Sequence, residues 1–315
     1  MLGRLYTKED SMYSYTMVQW LFFFYFYCLF GWCFESSYVS LKKRKLVNRG
    51  FMRGPFLPLY GSGAIMMLVV SMPFQHNILL TYIAGCIGAT ALEYVTGVVM
   101  EALFKVRYWD YSNQKFNFQG QICLSSTLAW GGLTILMTRV VHKPVEQLML
   151  AIPGGALTVM TYVLTVYIVA DFTLSFKTAI DLRDVLVKME AAREELERVQ
   201  KRLDVIIAVS NEEREIKRQE RSQRIDELID GIEERLGGLK EKIQNEVSLY
   251  PDGIKEEIQE LRMKYRINVE NRIQLRSIKD FYKRQMIKGN PTMVSKRFRD
   301  TLQELKETVE GWNKE

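Results

Sequence analysis

The chain has 315 residues and a formal net charge of +6, which is long enough for two domains. Residues 1–176 hold thirteen Lys/Arg and eight Asp/Glu, and residues 177–315 hold thirty and twenty-nine. The charged half is therefore nearly neutral, whereas a nucleic-acid arm would concentrate unbalanced basic charge, so no nucleic-acid partner is expected. The cysteines Cys28, Cys33, Cys86 and Cys123 form no CxxC pair and lie far from His76 and His142; they read as small hydrophobes, not as a zinc site or disulfide framework.

Tyr13 to Phe34 runs 22 residues without a charge, enough to cross a hydrocarbon core of about 30 Å. It is too long for a signal-peptide core and no small-residue cleavage site follows, so it reads as a retained anchor. Gly54 to Leu92 is uncharged for 39 residues and fits two spans broken at Pro73–Asn77. A fourth span is expected over Ile122–Thr138 and a fifth over Leu148–Ala170, loosened by Pro153, Gly154 and Gly155. The fold class is thus all-α: a polytopic bundle of about five spans over residues 13–172, after an N-terminal segment 1–12. A cytoplasmic helical and coiled-coil domain follows over 173–315.

Lys/Arg in the short loops sets the direction of insertion. Lys42, Lys43, Arg44, Lys45, Arg49, Arg53, Lys105, Arg107 and Lys115 fall on one side; Arg4, Lys8, Arg139 and Lys143 fall on the other. Nine against four predicts an outside N-terminus and a cytoplasmic tail in a multi-pass cell-membrane protein.

The segment between the first two spans, NRGFMRGPFLPLYGSG, has four glycines and two prolines in sixteen residues and cannot be an ordinary helix. Non-helical backbone at membrane depth is tolerated only against protein or a cavity. Gly50, Gly54, Pro55, Pro58 and Gly61 therefore define an elbow dipping into the cytoplasmic face. Glu93 and Glu101 lie eight apart on the third span with Gly97 between them, on roughly one helical face. Glu93 is about 24 Å along that span, and Glu35 closes the first span on the same side. A carboxylate in hydrocarbon costs at least about 2.5 kcal/mol and needs a partner. The elbow is expected to bring Arg49 and Arg53 against Glu35, Glu93 and Glu101, with Arg107 and Asp110 from the next loop. That constellation is either a polar pocket for substrate or protons, or an ion-pair network that only holds the helices together.

These residues resemble a family, the bacterial membrane proteins called putative ABC-transporter type IV, or CmpB-like. The matching pieces are Gly31-Trp32 with Glu35, Asn48-Arg49-Gly50-Phe51, and Gly54-Pro55 with Pro58, Tyr60 and Gly61. Leu92-Glu93-Tyr94, Glu101, Trp109-Asp110-Tyr111-Ser112, Phe116-Asn117 and Gly120 with Ile122-Cys123-Leu124 follow in order. The resemblance covers about residues 13–170 and implies a permease-like membrane component. The pattern often carries an arginine where this chain has Gln121.

Beyond Asp171 the period changes. Leu182, Val185, Met189, Ala192, Leu196, Val199, Leu203 and Ile206 alternate spacings of three and four, a heptad seam that fits a short coiled coil. Self-association through Leu182, Val185, Met189, Leu196, Val199 and Leu203 is one expectation; a fold-back across the turn at Tyr250–Gly253 is the other. The seam resumes over Ile225–Ile243, a further helical pattern covers Ile254–Ile287, Gly289-Asn290-Pro291 ends it, and Val294 to Trp312 mark a final amphipathic helix.

No GxxxxGK[ST] phosphate loop occurs, so ATP-driven transport would need a separate ATP-binding subunit. No nucleophile–base set or metal-ligand set is visible. The sequence is therefore read as a non-enzyme without cofactor or metal: a permease-type subunit in the lipid bilayer. A membrane-anchored scaffold or sensor that recruits partners through its tail is the alternative.

Overall fold

The computed structural model describes residues 15–210, 252–276 and 280–311. Two compact units divide the chain, Met1–Leu186 with Ile278–Glu315, and Val187–Ser277.

In the first unit, α1 (Met17–Lys43) starts at Thr16, whose side chain forms a capping box with Gln19, and stops at Arg44 in the left-handed region. It runs past Phe34 because Glu35, Ser36 and Ser37 do not break a helix; Glu is a good helix former. The elbow follows, then α2 (Pro58–Ser71) with proline in its first turn and a 3-10 turn Met72–Phe74. Asn77 caps α3 (Ile78–Phe104) by accepting from the Leu79 and Leu80 amides. A two-stranded hairpin, β1 (Asn117–Phe118) with β2 (Ile122–Cys123), leads into α4 (Leu124–Leu136). A π-helical turn Met137–Val141 joins α4 to α5 (His142–Leu150).

Four helical stretches are long and apolar enough to cross a membrane, and Pro58–Phe74 is a shorter apolar helix. With it the bundle has the about five apolar helices expected, and proline at both ends makes α2 the shortest of them. The span expected over Ile122–Thr138 extends to Leu150, through the π turn. The last, α6, runs unbroken from Gly154 to Ser210. No Gly or Pro occurs between Ala156 and Ser210, so the onset of charge after Asp171 marks a change of surroundings and not a helix end. A boundary at residue 172 falls inside this helix.

Close helix crossings in this unit rest on glycine, the usual device where lipid gives no hydrophobic drive. A Cβ on Gly31 would lie 2.3 Å from the Tyr60 ring, and one on Gly61 would lie 2.4 Å from Cys28 Sγ and 2.7 Å from the Phe24 carbonyl. Glycine at both positions lets α1 and α2 touch. Gly85 faces Thr134 in the same way between α3 and α4. Phe22, Phe23, Tyr27, Met67, Leu68, Ala89 and Met149 form the main core, while Phe30, Phe34, Ile87, Val95 and Val166 point outward. The apolar exterior is what a bilayer-facing surface requires.

The first unit also takes in the C-terminal segment. α8 (Phe281–Gly289) is capped by Asp280, residues 290–295 run without helix, and α9 (Arg299–Gly311) buries Leu302, Leu305 and Val309. Met293 and Leu305 are fully buried. The expected helical pattern Ile254–Ile287 is in fact two helices, α7 (Asp252–Arg276) and α8.

In the second unit the lower part of α6 and α7 form an antiparallel hairpin. Arg202 pairs with Glu257 at 2.7 Å, and Lys188 and Ala192 line a groove with Asn268, Asn271 and Gln274. The fold-back expectation describes this pairing. Met189, Ala192 and Val199 of the seam are buried within one chain, Leu196 and Leu203 are partly buried, and Ile258 and Val269 of α7 are buried with them. Leu182 and Val185 belong to the first unit, Leu182 buried and Val185 partly so. Much of the seam proposed for self-association is thus already covered. The resumed seam over Ile225–Ile243 and the turn residues Tyr250 and Pro251 lie outside the described residues.

Gly31→Ala and Gly61→Ala are each expected to destabilise the bundle by about 1–3 kcal/mol, since the inserted methyl must displace a ring or backbone. Gly63→Ala, with nothing within 4 Å, is the matched control and should be neutral. Thermal unfolding in detergent measures the difference; equal losses at all three positions would contradict the crossing.

Candidate polar site at the loop face

The elbow is fixed by its own amide. Asn48 Oδ1 accepts from Trp32 Nε1 at 2.6 Å, and Asn48 Nδ2 donates to the Arg53 carbonyl at 2.7 Å. Gly50 has a φ of 124°, which any side chain would strain. The Arg49 amide donates to Ser36 Oγ and the Gly54 amide to Asp171 Oδ2 at 2.8 Å. A Cβ on Gly54 would collide with Tyr167 and Asp171. Glycine and asparagine thus let the chain turn back against α1 and α6.

This turn aims Arg49 at Glu35 (Nε to Oε2, 3.2 Å). The rest of the Arg49 guanidinium donates to the Gly289 carbonyl, Asn290 Oδ1 at 2.9 Å and Thr292 Oγ1. Arg53 takes a different course. It donates to Thr178 Oγ1 at 2.6 Å and to the Leu174 carbonyl, and its Cζ sits 3.7 Å over the Tyr282 ring, a cation–π contact.

A second network forms at the end of α3. Arg107, 4 % exposed, pairs with Glu101 at 2.7 Å and with Asp110 at 3.4 Å. Gln121, also buried, donates to Glu101 Oε2 at 2.6 Å and receives Trp109 Nε1 on its carbonyl. A Cβ on Gly97 would lie 2.3 Å from Gln121 Oε1, so glycine between the two glutamates makes room for this amide. Gly120, at φ 73°, leaves space for Arg107 and Asp110. Partial burial pushes the Asp110 carboxyl up, but bonds from Ser112 and the Arg107 charge more than reverse this and hold it below the usual carboxylate range.

Glu93 is 6 % exposed and stands apart from both arginines. It accepts from Tyr111 Oη at 3.0 Å, Trp130 Nε1 at 3.0 Å and Ser126 Oγ at 3.3 Å. Among the described residues no ion pair forms to it. Burial and then the Glu93 charge raise the pKa of Tyr111, which keeps that phenol protonated and donating.

The expected residues therefore converge in part. Arg49 meets Glu35, and Arg107 meets Glu101 and Asp110; the elbow does not supply an arginine to Glu93. The reason is geometric: the turn points Arg49 back along α1 and lays Arg53 along α6.

The C-terminal segment was not visible as part of this site. Val294 pairs main chain to main chain with Arg107, Thr292 Oγ1 donates to the Tyr108 carbonyl, Ser295 Oγ to the Lys105 carbonyl and Asn290 Nδ2 to the Gly50 carbonyl. A Cβ on Gly289 would lie 2.4 Å from the Asn48 carbonyl. Gly289-Asn290-Pro291, read as a helix stop, is in addition a docking motif. Ser126 and Trp130 carried no signal, because serine and tryptophan in an apolar span read as core. At the opposite end of α1, about 30 Å away by helical rise, His142 hydrogen-bonds Tyr15 and Tyr27, and Tyr15 donates to Glu146.

Comparison with known proteins matches residues 22–176 to the family described as putative ABC-transporter type IV. The stated resemblance is borne out over that segment; residues 280–311, which dock on it, lie beyond the match. No curated protein and no solved structure matches the chain.

The geometry separates the arginine partners. A double-mutant cycle of Glu35→Gln with Arg49→Ala should show coupling of about 1–3 kcal/mol, because these groups touch. The cycle of Glu93→Gln with Arg49→Ala should be additive within about 0.5 kcal/mol. Unfolding in detergent reads both; coupling in the second cycle alone would refute the assignment.

Proposed function

We propose that this chain, whose residues 22–176 belong to the putative ABC-transporter type IV family, is an integral-membrane permease-like subunit with Glu93 at its functional centre. The supporting observation is the contrast between the buried Glu93 and the half-buried Glu35 and Glu101. Glu35 and Glu101 each have an arginine, as acids that only hold helices together should. Glu93 lies within an apolar span and is held by three neutral donors, so its charge is left for a substrate group or a proton. Intramembrane ionisable groups of this kind mark pathways more often than packing. This reading gives ATP hydrolysis to a separate subunit, in keeping with the lack of a phosphate loop in these 315 residues. The nine-to-four bias in loop Lys/Arg supports a cytoplasmic elbow, hairpin loop and C-terminal tail.

A second reading, a membrane-anchored scaffold, draws on the helical hairpin of the second unit and would leave Glu93 without a role.

Affinity purification of the full-length chain from native membranes should recover an ATP-binding polypeptide. Glu93→Gln should fold and recover the same partner, while the ATPase rate of the complex falls on the order of tenfold. Recovery of no ATP-binding polypeptide, or an unchanged rate in Glu93→Gln, would favour the scaffold.

A further inference from the structure

Lys42, Lys43, Arg44 and Lys45 follow one another where α1 ends. Gly289 packs on the Asn48 carbonyl and Arg49 bonds Gly289, Asn290 and Thr292, which brings Lys288, and Lys306 through its bonds to the Pro291 and Met293 carbonyls, to the chain just beyond this cluster. Burial, and then the charges of Arg284 and Lys45, lower the pKa of Lys288. Burial likewise lowers that of Lys306, with Lys43 adding to the effect and Glu310 opposing it. Basic side chains of two elements are thus brought to one junction, a surface that attracts an anion.

The outer face of α1 leads straight to this junction. Phe30, Phe34, Tyr38 and Leu41 are 54 %, 63 %, 60 % and 80 % exposed, and their spacing of four, four and three places them on one helical face. In a membrane span, this stripe is covered by acyl chains, and its basic end falls at the level of the headgroups. Leu46, 99 % exposed just beyond the cluster, adds an apolar contact at the interface.

We propose that the junction of α1 with the C-terminal segment binds an anionic phospholipid, whose headgroup bridges Lys43 and Lys45 to Lys306 and Lys288 and whose chains lie along Phe30, Phe34 and Tyr38. The inference rests on the membrane reading of α1 but not on transport. Bilayer lipid supplies both the charge and the acyl chains that this surface calls for, whereas a soluble phosphate supplies only the charge.

The test is hydrogen–deuterium exchange over residues 286–305 of the full-length protein in two nanodiscs, one of phosphatidylcholine and one with about one-third phosphatidylglycerol. Exchange should slow by about tenfold in the anionic disc, because the headgroup holds the segment down. The double variant Lys43→Gln, Lys45→Gln should exchange alike in both discs, and at the wild-type rate in phosphatidylcholine, which also reports that it folds. Equal wild-type exchange in both discs overturns the proposal, as does a lipid effect that survives the double variant. Inorganic phosphate that reproduces the slowing in phosphatidylcholine would assign the site to soluble anions and overturn the lipid. Failure to enter either disc would overturn both this inference and the membrane reading.

Discussion

The Arg49 guanidinium is the constraint on which the loop face is organised. A mostly buried guanidinium must have its donors satisfied, because leaving a charge unpaired costs far more than the pair itself contributes. Here one nitrogen goes to Glu35 on α1, and the other two reach Gly289, Asn290 and Thr292, some 240 residues later in the chain. The elbow can take no other path once this is required. Gly50 must adopt a positive φ, Asn48 must staple the turn to Trp32, and Gly289 must lack a side chain to come near the Asn48 carbonyl.

From that anchor the C-terminal strand segment continues to the second loop. Its bridge to Arg107 fixes the main chain of a residue whose side chain already binds Glu101 and Asp110. Two separate ion-pair networks therefore share one run of backbone, residues 289–295. Glu93 belongs to neither, and its surroundings of phenol, indole and hydroxyl differ in kind from the arginine-paired acids beside it. The chemistry of the site is a difference between acids that neutralise arginines, Glu35, Glu101 and Asp110, and acids held by neutral donors, Glu93 on α3 and Asp171 on α6.

Much of this was legible in the sequence, and for definite reasons. Uncharged runs gave the membrane helices because hydrocarbon tolerates little else. The elbow was visible because Gly and Pro cannot build a helix there, and Glu35, Glu93 and Glu101 stood out as charges in apolar surroundings. Direction was not legible. Nothing local says that Arg49 points back along α1, or that Arg53 lies over Tyr282, since both depend on contacts between residues far apart in sequence. Gln121 shows the same limit from the other side. The resemblance pointed to an arginine there, but the room beside Gly97 takes an amide that bonds Glu101, while Arg107 supplies the charge. The continuity of α6 was not legible because hydropathy reports what surrounds a helix, not where its backbone ends.

The docked segment also shows which forces hold and which select. Residues 187–277 are inserted between two parts of the first unit, so docking closes a loop of roughly ninety residues, at a cost of about 4 kcal/mol if the insert were a flexible chain. The internal helical hairpin shortens the effective loop and lowers that figure. Against it stand Met286, Ile287, Met293, Phe298, Leu302, Leu305 and Val309, all buried, each contributing about 1.5–3 kcal/mol when fully removed from water. Part of that burial is α8 against α9, yet even half of it exceeds the closure cost. The polar bonds at Arg49, Asn290, Thr292 and Ser295 add little net stability, about 1 kcal/mol each. They determine register: a slip of one residue along 289–295 would leave Arg49 facing apolar side chains and place Met293 outside its pocket. Apolar burial thus holds the segment, and the arginine determines where it sits.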